Sequence, residues 1–252
     1  DVCSSDPANL VFALLFTFAA PTAQAAGGGV CLRWVKCYGE TGAATNASFA
    51  CDADAGSRVL VGSFYSPVAM SQVTRVSAVV DMASSSASLP TWWAFNSCRS
   101  GSLGVNATAD PSNLLCEDWS AGFGSASLTN FTVDTHGPNT ARISLTATAA
   151  SAQPVAAFLS YFAFNITIDN TGTTGGAACA GCSTPVCIVL NQISVLHSGP
   201  APLTMTNPAN GIDSHYVTWQ GGGAPVVGTV TGCPAATPTR NTSWGAVKSL
   251  YR

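Results

Sequence analysis

The chain has 252 residues, 47% of them hydrophobic and only 8% charged, with a formal net charge of −3. That length and apolar content suit one all-β domain with a sizeable core, and the charged fraction is far below the roughly one quarter of an average soluble domain. Nine Lys and Arg, thinly spread, give no basic footprint for nucleic acid and no basic helix for a membrane surface.

Ten cysteines in a chain so rich in Gly, Ser and Thr indicate an oxidising compartment. Leu10 to Ala20 is an apolar run too short to span a bilayer and suited to the core of a signal peptide. Ala23-Gln24-Ala25 follows as a small-x-small cleavage pattern, so residues 1–25 are set apart and the mature protein is expected to start at Ala26. The positive region that normally opens a signal peptide is missing. In its place stands Asp1-Val-Cys-Ser-Ser-Asp6, a hexapeptide that resembles a translated sequencing adapter. If those six residues are foreign, Cys3 drops out and nine cysteines remain, an odd number.

From Ala26 the expectation is a single β-sandwich domain over 26–252. Val30 to Cys37 alternates and predicts a first strand. Tyr38 to Asp54 reads as a loop, and Arg58 to Tyr65 as a strand stopped by Pro67. Gln72 to Met82 predicts a long strand with a bulge or break near Ser77. A Ser/Ala turn leads to Pro90-Thr-Trp-Trp-Ala-Phe-Asn96, read as another strand, and Cys98 to Cys116 as a polar loop. Ser127 to Val133, Ala141 to Thr148 and Ala157 to Ile168 give three more strands. The most strand-like run opens at Cys187. Val186, Ile188 and Leu190 on one face and Cys187 and Val189 on the other are all apolar, so both faces should be covered. From Asn191 the pattern relaxes to alternation. Tyr216 to Trp219 is a late strand before three glycines. Ser243 caps a predicted short C-terminal helix with Trp244, Val247 and Tyr251 on one face. Short strands parted by Gly, Pro, Asn and Asp clusters define an all-β, disulfide-bonded antiparallel β-sandwich or jelly roll with a short C-terminal helix.

The tail Arg240-Asn-Thr-Ser-Trp-Gly-Ala-Val-Lys-Ser-Leu-Tyr-Arg252 resembles the ends of secreted proteins predicted from environmental bacterial genomes. Tyr216-Val-Thr-Trp-Gln-Gly221 and Thr184-Pro-Val-Cys-Ile-Val-Leu-Asn191 are similar to segments of the same group. The resemblance implies secretion and a natural C-terminus. It implies no activity.

Cys179-x2-Cys182 with Cys187 and Cys233 has the composition of a four-thiolate zinc site, but disulfides are the expectation in a secreted chain. Sequence does not fix the pairing; the expectation is Cys37–Cys51, Cys98–Cys116, Cys182–Cys187 and Cys179–Cys233, with Cys31 left over. Asp134-x-His136 and Asp213-x-His215 each set a carboxylate beside an imidazole. No spacing forces them together, so both read as turns and no metal or cofactor is expected. Asp52-x-Asp54-x-Gly56 begins like a calcium loop but lacks the closing Glu, and reads as a turn. Glu117-Asp118, beside Cys116 and Trp119, is the one acid pair a glycoside hydrolase would need. There is no nucleophile elbow and no dinucleotide fingerprint.

Six tryptophans are the strongest binding signal. On an extended strand Trp92 shares a face with Ala94 and Asn96, and Trp93 with Phe95. That alternation predicts Trp93 in the core and Trp92 exposed, with Asn96, Trp219 and Gln220 as further binding candidates on a sugar-stacking platform. Five Asn-x-Ser/Thr sites occur, at Asn46, Asn106, Asn130, Asn165 and Asn241. The sequence thus predicts a secreted, non-enzymatic binding or surface protein. Its partner would be an extracellular glycan, a protein or another copy of itself, with no nucleic acid and no membrane span once the signal is cleaved. A self-assembling filament or coat subunit is the alternative, and a hydrolase using Glu117 and Asp118 the second alternative.

Overall fold

The computed structural model describes residues 28–110, 112, 114–206, 209 and 214–221. The signal-like segment, Cys233 and the predicted C-terminal helix lie outside the described residues. Twelve strands form within them: β1 (Gly29–Trp34), β2 (Asn46–Ala47), β3 (Ser57–Tyr65), β4 (Met70–Ser84), β5 (Leu103–Asn106), β6 (Glu117–Asp118), β7 (Gly124–Val133), β8 (Thr140–Val155), β9 (Ser160–Asp169), β10 (Val186–Leu196), β11 (Leu203–Met205) and β12 (Tyr216–Trp219).

Two sheets result. The first runs β1-β3-β9-β5, with β6 beside β9, and the second runs β2-β12-β10-β4-β8-β7, with β11 beside β10. Pairing is antiparallel except at β12–β2 and β6–β9. The sheets face each other across one core. Val30, Leu32, Leu60, Phe164, Ile166 and Ile168 come from the first, and Val76, Val80, Ile143, Leu145, Ile188, Leu190 and Val195 from the second. These are the alternate positions that a pleated strand turns to one side. In β10 every residue from Val186 to Asn191 is buried, after which buried and half-buried positions alternate.

Gly62 shows how close the packing is. A Cβ there would lie 2.2 Å from the Phe164 ring, which rests on the bare backbone of β3. The sheet face of β3 is therefore shaped by a side chain that is absent as much as by those present.

Three expectations need correction. The strand over Gln72–Met82 runs unbroken through Ser77, and its irregularities fall between Met70 and Arg75. The polar loop over Cys98–Cys116 contains β5, whose Leu103 and Val105 pack against the core. Pro90–Asn96 is no strand. Thr91–Trp93 forms a 3-10 turn, closed by Trp93 N–H to Pro90 O at 2.9 Å and Ala94 N–H to Thr91 O at 3.2 Å. Proline's fixed φ starts such a turn as readily as it starts an edge strand. Gly181, at φ +105°, receives Pro90 so closely that a Cβ would sit 2.2 Å from the proline ring.

The disulfide map is also different. Cys37 bonds Cys116, Cys51 bonds Cys182 and Cys98 bonds Cys179. Cys187 is bonded too, so the expected Cys182–Cys187 bridge does not form. Cys31 is free and buried. Spacing favours near neighbours, whereas the fold joins loops that the sheets bring together from 79 to 131 residues apart. Among the described residues, no helix is long and apolar enough to cross a membrane.

Candidate functional site

The tryptophans form an internal spine. Trp34 meets Phe49 at 5.1 Å between ring centroids, and Phe49 meets Trp219 at 4.4 Å. Trp219 meets Trp92 at 5.0 Å and Trp93 at 5.3 Å, and Phe95 continues the line to Phe131. In the 3-10 turn Trp92 and Trp93 both swing inward, each with no exposed surface. The predicted exposure of Trp92 is therefore wrong, because alternation holds only for an extended chain. Trp92 donates Nε1–H to Thr173 Oγ1, and the Arg99 guanidinium stacks 3.6 Å from its ring centroid. Trp219, 1% exposed, donates Nε1–H to Cys182 O at 2.6 Å. Neither ring is available for sugar stacking. Asn96 is exposed on the turn that follows.

Gln220 holds a neighbour in place. Its side-chain amide grips the Phe49 backbone from both sides, accepting from Phe49 N–H at 3.2 Å and donating to Phe49 O at 2.7 Å. Phe49 in turn lines a cleft of about 390 Å³ together with Trp34, Val35, Ser57, Arg58, Val59, Val61, Asp110 and Asn165. That size and mixed lining fall within the range of small-ligand sites.

The cleft arises because β1 stops early. Its partners on β3 run only from Leu60 to Tyr65, which leaves Ser57 and Arg58 without a partner on that side. Val35, the first residue past β1, has φ +70° and is 56% exposed. A β-branched residue in the left-handed region is a true outlier, and such strain costs of order 1–3 kcal/mol unless its surroundings enforce it. Here Val35 N–H is tied to Val59 O at 2.9 Å. The Cys37–Cys116 bridge joins this segment to the loop carrying Asp110. Asp110 is engaged: Lys36 Nζ donates to it at 2.8 Å and Ser112 N–H at 2.8 Å. The Lys36 hydrogen bond first, then those of Ser112, hold its carboxyl well below the usual carboxylate range. On the far wall Asn165 donates Nδ2–H to Asn106 Oδ1 and Thr108 O.

Two groups at the cleft are unsatisfied. Arg58 stacks 4.6 Å from the Phe49 ring centroid, but its enclosed Nε–H has no acceptor among the described residues. Asn165 Oδ1 is likewise enclosed without a donor. Native proteins pair nearly all such atoms, so each exception calls for an explanation.

The other candidates lie elsewhere. Asp118 is occupied by its own turn, accepting from Ser120 N–H, Ser120 Oγ–H and Gly122 N–H at 2.7–2.8 Å. Glu117, the adjacent strand residue, is exposed. His136 does not point into solvent alone: its Nε2 lies 3.0 Å from Asp81 Oδ2. Asp81, 1% exposed, also accepts from Arg142 and Asn191, forming a polar knot on the second sheet. Asp213 lies outside the described residues. Asp54 caps a turn by accepting from Thr173 and Thr174 N–H, and those bonds lower its pKa, with Thr174 the largest cause. Among the described residues no three His, Cys, Asp or Glu side chains gather as a metal site.

Sequence reasoning missed Val35, Phe49, Arg58 and Asn165 as a set, because they come from four separate segments. The chain matches no family model and no curated protein.

Proposed function

We propose that this chain is a secreted, non-enzymatic β-sandwich protein that binds an extracellular ligand in the cleft beside β3. The observation that carries the reading is the cleft itself: a strained Val35, an aromatic floor of Phe49 and Trp34, and unsatisfied polar atoms on Arg58 and Asn165. Disulfides at Cys37–Cys116 and Cys51–Cys182 brace its walls, and preorganised walls lower the entropic cost of binding. The bridges and the low charge support an extracellular setting. A glycan and metabolite screen by thermal shift tests it, run beside a Ser57→Trp variant that fills the cleft from an exposed position. Hits that disappear in the variant support the site, and hits that survive refute it.

A second reading, self-assembly, rests on β7. Among the described residues this ten-residue strand pairs only with β8 and lies at the sheet edge, and it carries no charge and no proline over Gly124–Val133. Edges of that kind invite strand addition from another copy. Light scattering across concentration separates the readings: a monomer throughout removes assembly.

A further inference from the structure

Resting on the cleft as a ligand site, we propose that its ligand carries a carboxylate and a hydroxyl on a ring with an apolar face, and that Arg58 binds the carboxylate. The other buried or half-buried cations among the described residues are all engaged. Arg33 donates to Leu32 O and Ser214 O, Arg99 to Thr171 O and Trp92 O, Arg142 to Asp81, and Lys36 to Asp110. Arg75 is exposed to water. Arg58 is half-buried, and no described residue accepts a hydrogen bond from it or forms an ion pair with it. It is the one shielded cation among the described residues left without an acceptor.

Stacking on Phe49 offsets only part of the desolvation of a guanidinium. The nearby carboxylate cannot complete the balance, because Lys36 and Ser112 already engage Asp110. The cleft therefore presents a planar donor fork that no described carboxylate pairs with, Asp110 being held by Lys36. A planar carboxylate matches that fork with two parallel hydrogen bonds. Around it, Val35, Val59, Val61 and Phe49 require an apolar ligand surface. Asn165 Oδ1 requires a donor, which a hydroxyl supplies. Sugar acids of an acidic polysaccharide and free hydroxylated aromatic acids both have this chemistry.

The test is calorimetric titration of the intact protein with galacturonate oligomers, the matching methyl esters, neutral galactose oligomers and 4-hydroxybenzoate. The expected result is binding of the free acids, with esters and neutral sugars weaker by about ten- to a hundredfold, the value of a charged hydrogen-bond pair. Arg58→Gln should lose binding by a similar factor, Arg58→Lys should restore only part of it, and the exposed Arg75→Gln should change nothing. Melting curves confirm that each variant folds, and Arg58→Lys keeps the test decisive if Arg58→Gln does not. Preference for oligomers over 4-hydroxybenzoate assigns the acid to a polysaccharide, and the reverse assigns it to a small metabolite. Equal binding of esters and acids, unaffected by Arg58→Lys, overturns the carboxylate while leaving the cleft as a neutral-ligand site. Failure of every probe overturns the proposal.

Discussion

Removing the Cys51–Cys182 bridge is the most instructive perturbation of the fold. It closes a loop with a sequence separation of 131, for which chain entropy alone gives about 5 kcal/mol. The bridge is nested, however. Cys37–Cys116 and Cys98–Cys179 shorten the free path to the 14 residues from Cys51 to Cys37, the 18 from Cys116 to Cys98 and the 3 from Cys179 to Cys182. For an effective loop of roughly 35 residues the same relation gives about 4 kcal/mol. A Cys51→Ala/Cys182→Ala double variant should therefore lose about 4 kcal/mol by denaturant titration, and its Tm should fall by roughly 8–16 °C. A second effect should accompany it. Trp219 donates to Cys182 O, so near-ultraviolet circular dichroism of the aromatic spine should weaken. A loss below about 1 kcal/mol would refute a bridge at these positions, since even a loop of roughly 5 to 14 residues is worth about 2–3 kcal/mol by the same relation.

Other outcomes follow from burial and charge. Trp92→Ala and Trp93→Ala should each cost about 3–5 kcal/mol by chemical denaturation, as fully buried rings, so neither is a neutral surface change. Asp81→Ala should cost about 3–5 kcal/mol, because it strands Arg142 and Asn191 without their shared acceptor. Burial pushes the Cys31 thiol up to about 11 from 9.0. The folded protein then holds the proton longer than the unfolded chain, so stability is intact below about pH 9 and should fall by about 2–3 kcal/mol toward pH 11. Cys31→Ala should flatten that slope in denaturation measured across the window.

The strands were legible where local chemistry alone decides them. Val186–Leu190 is apolar on both faces and rich in β-branched residues, the pattern of a strand covered on both sides. Trp92 and Trp93 were misread because period-two alternation presupposes an extended chain, while Pro90 and the bare Gly181 beneath it set a turn. The bridges could not be read from spacing, since Cys51 and Cys182 meet only after both sheets have formed. The cleft was invisible for the same reason. Val35, Arg58, Asp110 and Asn165 carry no shared motif and become neighbours through the register of β1, β3 and β9. Gln220 was singled out in sequence for contact with a ligand, and the structure places it one step behind, clamping Phe49.

The central claim is that the cleft beside β3 receives a ligand. Backbone-amide NMR of the isotopically labelled protein, titrated with galacturonate oligomers, tests it most directly. Saturable shifts are expected, centred on Val35, Phe49, Ser57–Val61 and Asn165, with the β7 edge unmoved. Shifts confined to β7 or to the second sheet, or none at all, would contradict it.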